Sequence, residues 1–197
     1  MLRQTLTKLG EQTSVAIVLR KIVELNFRRQ KKAIREFLPL GSKDRVLDLG
    51  SGTGEFAPLF PVAQYEGIDI DPSNIAYAKR HYPHHFQVAD ALRLPFGEKS
   101  FTAILIVGVL HHLSIEECGR VLAEMKRVLA REGRVLIMED TKSPRWITRL
   151  MHHLDQGAYI RTEEEWQKLF TSHFNVEKHW TFNNGVCFYS AFVLRHI

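Results

Sequence analysis

Glycines and carboxylates stand close together in one short stretch of the chain. Residues 50–54 read Gly-Ser-Gly-Thr-Gly, with Asp48 two positions before them and Glu55 directly after them. Glycines that follow a strand let the backbone turn sharply and approach a ligand closely. The stretch therefore predicts a loop that binds a nucleotide-like cofactor. Because residues 52–57 also fit the relaxed dinucleotide pattern G-x-G-x-x-A, the glycines alone do not say which cofactor.

Two further carboxylates recur at a constant interval after Asp48. Asp69 and Asp90 follow at successive distances of 21 residues, each at the end of a predicted strand. The carboxyl ends of parallel strands meet at one edge of a sheet, where the ligands of open α/β folds bind. A carboxylate at the second strand end can accept hydrogen bonds from ribose hydroxyls, and one at the third can accept from an adenine amino group. The three acids therefore predict an adenosine lying across three strand ends.

The charge around the loop separates two cofactor classes. NAD(P) would place a doubly anionic pyrophosphate against the loop and the helix after it, where Asp48 and Glu55 would repel it. S-adenosylmethionine (SAM) has no phosphate and presents a positive sulfonium and a positive α-ammonium instead. Asp48 then gains a partner of opposite charge, and Glu55 is expected on the positive N-terminus of a helix that begins near it. We therefore expect SAM as the cofactor.

Strands and helices alternate along the chain and would bring these residues to one sheet edge. Apolar runs bounded by turn residues predict strands at 45–49, 65–70, 85–89, 101–107, 134–139, 174–182 and 186–194. Amphipathic spacing and capping signals predict helices at 12–38, from about 55, from 72, at 114–130 and at 162–172. The alternation, which ends in a hairpin turn at 183–185, predicts a single α/β domain over residues 1–197 with a mostly parallel sheet.

Five stretches resemble successive motifs of class I SAM-dependent methyltransferases. They are residues 46–54, 67–72, 88–95, 108–113 and 128–137, so the resemblance covers about 43–140 closely. The chain departs from the family at Glu132-Gly133, where Gly-Gly is common. The resemblance implies a Rossmann-like, seven-stranded, mostly parallel sheet with an antiparallel C-terminal hairpin strand and helices on both faces.

The resemblance also implies a set of cofactor-binding residues. Asp69 would bind the ribose, Asp90 and the Ala91 backbone would bind the adenine amino edge, and Ile70 would pack on the adenine face. Asp71 aligns as the cap of the next helix rather than as the ribose ligand. The complete expected set is Asp48, Gly50, Ser51, Gly52, Gly54, Asp69, Ile70, Asp90 and Ala91.

The residues after the fourth strand bear on the acceptor. Amino-methylating nucleic-acid enzymes resemble one another in an Asn/Asp-Pro-Pro-Tyr segment there, and C5-cytosine enzymes have a Pro-Cys nucleophile. This chain reads Gly-Val-Leu-His-His-Leu over 108–113, which resembles the small-molecule branch that includes quinone-biosynthesis C-methyltransferases. His111 and His112 could act as a general base, or one could pack near the cofactor while the other faces a helix. A non-catalytic SAM-binding regulatory module and an NAD(P)-dependent oxidoreductase remain as alternatives.

Residues 141–165 are the predicted substrate-side insert. The candidate acceptor contacts in it are Trp146, His152, Tyr159 and Arg161. Arg161 could hold an anionic acceptor group by a bidentate contact, or it could tether the insert to Asp155. No metal site is expected, because adjacent histidines on regular elements point apart.

The positive charge of the chain is concentrated near its start. The formal net charge is +5, and residues 20–36 alone carry seven basic and two acidic side chains. Because the basicity belongs to one N-terminal segment, the chain lacks a nucleic-acid footprint over the whole domain, and a nucleic-acid substrate is not expected. Residues 1–40 are instead expected to form a helical cap that covers the substrate site, lies on an anionic membrane surface or presents a solvated face. Cys118 and Cys187 lack a C-x-x-C neighbour and favour reduced thiols in the cytoplasm. A monomer or a homodimer is expected.

Overall fold

A computed structural model of the chain describes residues 25–142, 159–185 and 187–197. The strands in these ranges are β1 (Val46–Leu49), β2 (Tyr65–Asp69), β3 (His85–Val88), β4 (Phe101–Val107), β5 (Leu129–Asp140), β6 (Asn175–Asn184) and β7 (Cys187–Arg195). The α-helices in the same ranges are α1 (Arg28–Phe37), α2 (Pro72–His81), α3 (Ile115–Val128) and α4 (Glu163–Thr171). Single 3-10 turns lie at Leu25–Phe27, Ala57–Leu59, Val62–Gln64 and Leu110–His112.

The seven strands form one sheet in the order β3-β2-β1-β4-β5-β7-β6. Strands β1 to β5 pair in parallel, and β7 runs antiparallel to both β5 and β6. The expected mostly parallel sheet with an antiparallel C-terminal strand is therefore confirmed. Because the strand order reverses between β1 and β4, the switch point of the sheet lies beside the glycine-rich loop that follows β1.

Helices cover both faces of the sheet, and each face has its own apolar core. One core joins α3 and α4 to the sheet, with Met125 and Trp166 fully buried in it. The other core joins α1 and α2 to the opposite face, where Ile34 and Ile75 are buried. Strand β4 serves both cores, since six of its seven residues are buried. This burial explains why its sequence is a continuous apolar run rather than an alternating one.

The predicted helix caps are confirmed. Ser114 and Glu117 form a capping box at the start of α3, and Thr162 and Glu165 form one at the start of α4. Asp71 caps α2, where its carboxylate accepts a hydrogen bond of 2.7 Å from the Ser73 N–H. These side chains satisfy N–H groups that the first turn of a helix leaves without an intrahelical partner, so each helix begins where its cap stands.

Two helix predictions are wrong in the part of the chain that the structure describes. The helix predicted over 12–38 does not run through residues 25–27. Leu25, Asn26 and Phe27 all have positive φ angles between 47° and 56°, and α1 begins only at Arg28. The helix predicted near Glu55 is replaced by the 3-10 turn Ala57–Leu59. The stretch between Gly54 and Pro61 is too short for more than one turn, since proline lacks the N–H that would continue a helix.

The remaining elements agree with the predictions to within a few residues at their ends, except that β5 begins five residues earlier, at Leu129. That extension pairs with Phe101 across an irregularity in the register of β4 and β5. Neither Cys118 on α3 nor Cys187 on β7 takes part in a disulfide. No helix within the described ranges is long and apolar enough to cross a membrane.

Candidate functional site

The glycine-rich loop folds back from β1 onto the neighbouring strand β2. The N–H groups of Gly50 and Ser51 both donate to the carbonyl oxygen of Ile68 at 2.8 Å. Gly50 has φ +76°, and a Cβ atom there would lie 2.3 Å from Val109 Cγ2, so any other residue would displace Val109 and strain the backbone. Gly52 has φ +52°, but a Cβ atom there would meet no protein atom within 4 Å. The loop thus packs tightly against the segment after β4 while its middle faces open space.

Asp69, at the end of β2, connects three parts of the sheet edge. Its Oδ2 accepts from the Gly52 N–H at 2.8 Å, and its Oδ1 accepts from the Asp71 N–H at 2.8 Å. Its backbone carbonyl accepts from the Ala89 N–H, directly after β3, at 3.1 Å. The carboxylate is therefore fixed in position between the glycine-rich loop and the start of α2, which is where the sequence predicts the ribose ligand.

Asp48 lies on β1 beneath the loop and is only 1% exposed. Its Oδ2 accepts a hydrogen bond of 2.6 Å from the Tyr65 hydroxyl. Burial raises the pKa of the Asp48 carboxyl from its ordinary 3.8 to about 7; the Tyr65 hydrogen bond lowers it, and the nearby charge of Asp69 raises it further. Burial and the negative charge of Asp48 likewise raise the pKa of the Tyr65 hydroxyl. An approaching cation would stabilise the charged form of Asp48, whereas an anion would destabilise it.

The residues expected at the adenine form the open side of the same edge. The Ile70 side chain is 71% exposed, so an apolar ligand face packed on it would remove substantial surface from water. Asp90 is exposed after β3, and its Oδ1 accepts from the Leu92 N–H at 2.8 Å. Ala91 is partly buried against the α3 side of the sheet. The structure therefore brings these three residues to the edge that already holds Asp48 and Asp69.

Glu55 does not rest on a helix N-terminus, because no α-helix follows the loop. Its carboxylate instead pairs with the Lys31 ammonium of α1 at 2.5 Å. Phe27, before α1, packs edge-on against Phe56 with 5.6 Å between ring centroids. The absence of an α-helix directly after the glycines removes the N-terminal dipole that pyrophosphate-binding folds use. The charge and the open space at Gly52 consequently suit a cationic cofactor such as SAM better than NAD(P).

His111 and His112 lie on the 3-10 turn Leu110–His112 that follows β4. His111 is 2% exposed, and its Nδ1 lies 2.9 Å from Glu139 Oε2 at the end of β5. His112 is exposed, and its ring lies 4.2 Å from that of His111 between centroids. The two histidines therefore occupy different environments, one enclosed by protein and one at the surface.

Glu139 holds the start of this turn. Its Oε1 accepts from the N–H groups of Val109 and Leu110 at 3.0 and 2.9 Å, and its Oε2 accepts from the His111 N–H at 3.3 Å. Glu139 is fully buried. A buried carboxylate is costly unless donors surround it, and here the main chain of the turn supplies three.

Arg161 contacts the same turn from the other side. Its Nη1 donates to the carbonyl oxygens of Leu110 and Tyr159 at 3.1 Å each, and its Nη2 donates to Leu113 at 2.8 Å. Its guanidinium also lies over the Trp166 ring, 4.8 Å from the centroid. Arg161 is 8% exposed, so the structure places it behind the turn, whereas Tyr159 is exposed beside it.

The structure does not describe the other predicted acceptor contacts. Trp146, His152 and the alternative Arg161 partner Asp155 lie outside the described residues. Within the described ranges, no three His, Cys, Asp or Glu side chains lie close enough together to hold a metal ion.

Sequence reasoning missed Glu139 and Tyr65. An acid at the end of the apolar strand β5 parallels Asp48 on β1 and could have identified Glu139. Tyr65 carries no comparable signal, because an aromatic residue at the start of a strand is common and only the fold places it beside Asp48.

Comparisons with known proteins find a family match over part of the chain. A family model described as a methyltransferase domain matches residues 47–137. A demethylmenaquinone methyltransferase of Thermotoga maritima is 36% identical over 114 residues, which are 55% of this chain and 49% of that protein. A probable tRNA methyltransferase 9B of Mus musculus is 37% identical over 93 residues, 47% of this chain and 21% of that protein. The chain thus spans about half or less of the length of these curated relatives.

Solved structures show the same fold. The geranyl diphosphate C-methyltransferase of Streptomyces coelicolor A3(2), solved with geranyl diphosphate and S-adenosyl-L-homocysteine, superposes with a TM-score of 0.71. The two are 13% identical, and the match covers 86% of this chain and 80% of that one. The motif match, the strand order and the acids at the carboxyl edge agree with one another. Residues 47–137 thus match the methyltransferase domain family, and the fold is the one found in solved SAM-dependent methyltransferases.

Proposed function

We propose that this chain binds SAM at the carboxyl edge of β1, β2 and β3 and transfers the methyl group to a small acceptor. One observation carries the proposal. The buried carboxyl of Asp48 lies beneath the glycine-rich loop near Asp69, and these acids favour binding of a cation there and disfavour binding of a phosphate. The family match over residues 47–137 supports the same reading. Titration calorimetry with SAM and with NAD(P) tests it, and binding of NAD(P) without SAM would contradict it.

Each site residue would contact a different part of SAM. Asp69 is already held by the Gly52 and Asp71 N–H groups, so it can accept from ribose hydroxyls with little loss of side-chain freedom. Asp90 and Ala91 would hold the adenine amino edge, and Ile70 would cover one adenine face. Asp48 would balance positive charge from below the loop. Gly50, Ser51, Gly52 and Gly54 would provide the close backbone approach.

Bound SAM supplies an electrophilic methyl carbon on its sulfonium, to which an acceptor lone pair forms a bond while the carbon–sulfur electron pair returns to sulfur. The chain's part is mainly to align the acceptor and exclude water, because alignment alone can supply much of the rate. Where the acceptor carries a proton on the attacking atom, we place its removal on the Leu110–His112 turn. His112 is the exposed member of the pair and His111 is the enclosed one.

The acceptor that we propose is small and partly apolar. Three features support this class: the segment after β4 lacks the nucleic-acid motifs, the exposed Ile70 and Tyr159 border the site, and relatives are named for menaquinone and ubiquinone synthesis. The test uses SAM labelled in its methyl group with three probes: a prenylated 1,4-naphthoquinol without a ring methyl, geranyl diphosphate and bulk tRNA. We expect label in a small probe and none in tRNA. Label in tRNA alone would contradict the acceptor class but not the cofactor.

A SAM-binding module without catalysis would keep every cofactor residue. The placement of two histidines on a turn held by buried charges favours catalysis, since a pure binding module has no use for them. Transfer of label to any probe eliminates the non-catalytic reading.

We further propose that residues 1–40 cap the acceptor side. Within the described part, Lys31 of α1 pairs with Glu55 of the loop, and Lys31 also lies over the Phe27 ring. A chain that lacks residues 1–30 should keep SAM affinity within a few-fold but lose acceptor turnover, because the proposed cap would exclude water from the transfer. Normal turnover by the shortened chain would contradict this role.

A further inference from the structure

We propose that Glu139 and Arg161 are a pair of positioning residues, which together hold the His111–His112 turn in the geometry that methyl transfer requires. The inference rests on the proposed function but uses different residues from those that bind the cofactor. It assigns a role to two buried charges that the cofactor site leaves unexplained.

Glu139 fixes the N–H side of the turn. Three consecutive N–H groups, of Val109, Leu110 and His111, point at its two oxygens within 2.9–3.3 Å. A single 3-10 turn has too few internal hydrogen bonds to be stable alone. The carboxylate accepts from N–H groups that have no partner within the turn. Its negative charge also interacts favourably with the positive N-terminal end of the turn's backbone dipoles.

Arg161 fixes the carbonyl side of the same turn. Its two terminal nitrogens donate to the carbonyl oxygens of Leu110 and Leu113, which bracket the two histidines. The Cys118 thiol of α3 adds a weaker contact to the Leu110 carbonyl at 3.5 Å. The planar guanidinium can satisfy both carbonyls at once, whereas a lysine ammonium would act from a single point.

The two charges also connect the turn to the strand and the insert that surround it. Glu139 belongs to β5, and Arg161 lies near the end of the predicted substrate-side insert, just before α4. The Tyr159 N–H donates to the His111 carbonyl at 2.9 Å, and the Lys142 N–H donates to the Arg161 carbonyl at 3.0 Å. Any displacement of residues 159–161 is therefore transmitted to His111, so an acceptor bound against the insert would act on the histidine turn.

Glu139 also sets the tautomer of His111. An ionised Glu139 accepts from Nδ1, 2.9 Å away, so the neutral ring carries its proton on Nδ1 and its lone pair on Nε2. Without the carboxylate this preference is lost. Glu139 thus acts on the ring orientation as well as on the main chain, which distinguishes positioning from mere packing.

The experiment compares Glu139→Gln and Arg161→Lys with exposed controls. Glu132→Gln changes the same residue type on the same strand, at its other, exposed end, and Arg131→Lys does so for arginine. Nitrogen-15 NMR of the His111 ring, assigned with His111→Asn, reports the tautomer without any acceptor. Amide hydrogen exchange at Val109, Leu110 and His111 reports the order of the turn. Thermal unfolding identifies variants that fail to fold; Glu139→Asp and Arg161→Gln then serve as second variants.

We expect Glu139→Gln to abolish the exclusive Nδ1-protonated form and to speed exchange of the three amides at least about tenfold. Arg161→Lys should preserve the tautomer but speed exchange, and Arg161→Gln should speed it more. Glu139→Gln and Arg161→Lys should each lower turnover of a labelled probe on the order of a hundredfold, because a small displacement of a positioning group has a large effect on rate. SAM affinity should stay within about threefold. The control variants should match the unmodified chain in every readout.

An unchanged tautomer and unchanged exchange in folded Glu139→Gln would overturn the inference, even if SAM binds normally. Unchanged turnover in both variants would overturn it as well. If the unmodified chain binds no SAM, the proposed function fails; the NMR and exchange readouts still decide whether the two charges hold the turn.

Discussion

Asp48 couples cofactor binding to pH. Burial keeps the pKa of its carboxyl at about 7 in the cofactor-free protein, and a bound cation stabilises the ionised form, so the pKa falls on binding. SAM binding therefore releases a proton below pH 7. We expect SAM affinity to rise between pH 5.5 and 7 by up to about tenfold per pH unit and to level off above pH 7. Calorimetry in buffers of different ionisation heat measures both the affinity and the proton release.

The matched variant is Asp48→Asn, which can still accept from the Tyr65 hydroxyl. It should bind SAM more weakly at pH 8 and lose the pH dependence. Because the pKa of folded Asp48 lies above the unfolded value of 3.8, this group lowers the free energy of unfolding as pH rises from about 4 to 7. Asp48→Asn should therefore stabilise the cofactor-free protein at pH 8, on the order of a few kcal/mol, and not at pH 4. An unchanged pH profile of SAM binding in the variant would show that another group titrates.

Asp69 and Asp71 are two residues apart and should respond differently to alanine. Asp69→Ala removes hydrogen bonds to a charged acceptor, worth about 1.5–3 kcal/mol, so SAM affinity should fall on the order of tenfold to a hundredfold. Asp71→Ala removes the cap on α2 and should cost about 1 kcal/mol of stability with little change in affinity. Calorimetry and urea unfolding on both variants separate the effects. The reverse result would move the ribose ligand to Asp71.

At the scale of elements, the glycine-rich loop and the segment after β4 form one junction. Gly50→Ala brings a Cβ atom within 2.3 Å of Val109 Cγ2 and also strains a residue with φ +76°. We expect a loss of about 2–4 kcal/mol of unfolding free energy. Adding Val109→Ala should recover the steric part but not the backbone part, so a double-mutant cycle on unfolding free energies should show coupling. Gly97→Ala, where the nearest neighbour is 3.6 Å away, is the control; equal losses at both glycines would contradict the junction.

The elements that could be predicted from sequence are those whose signals are local. Strand β4 is a continuous apolar run, and the two capping boxes place the starts of α3 and α4 by residue type alone. The helix predicted near Glu55 does not form, because the glycine turn before it and the proline at 61 leave too few residues. The helical signal and these turn signals conflict locally. The sequence signal for the irregular segment Leu25–Phe27 is weak. Asn26 is a type that adopts positive φ, but leucine and phenylalanine rarely do.

The same division holds for the candidate site. Asp48 and Asp69 could be placed because strand ends converge on one edge whatever the side chains do. The Glu139–His111 contact could not, because it joins residues 28 positions apart through the register of β4 and β5. The location of Arg161 behind the turn likewise depends on tertiary packing, which no pattern along the chain encodes.

At the scale of the whole molecule, the salt dependence of acceptor turnover distinguishes a small acceptor from a nucleic acid. Arg28, Arg29, Lys32 and Arg35 of α1 are exposed, and some relatives are named as tRNA methyltransferases. If α1 contacted phosphates, binding would weaken steeply with salt. We expect acceptor turnover to change less than about twofold between 50 and 300 mM salt and tRNA binding to stay non-specific. Tight tRNA binding that is lost in Arg28→Gln/Arg29→Gln would support the nucleic-acid reading instead.

Both outer strands of the sheet have features that discourage pairing with another chain. Strand β3 has four residues, and β6 carries a register irregularity between Val176 and Lys178, with exposed Glu177 and Lys178 at that point. An outer strand leaves one row of N–H and carbonyl groups available to another polypeptide, so short length, irregularity and charge all discourage a second sheet from adding there. We therefore expect growth of the sheet from molecule to molecule to be disfavoured at both margins. Replacing Glu177 and Lys178 with β-branched residues would remove one of those barriers and leave the protein open to edge-to-edge aggregation.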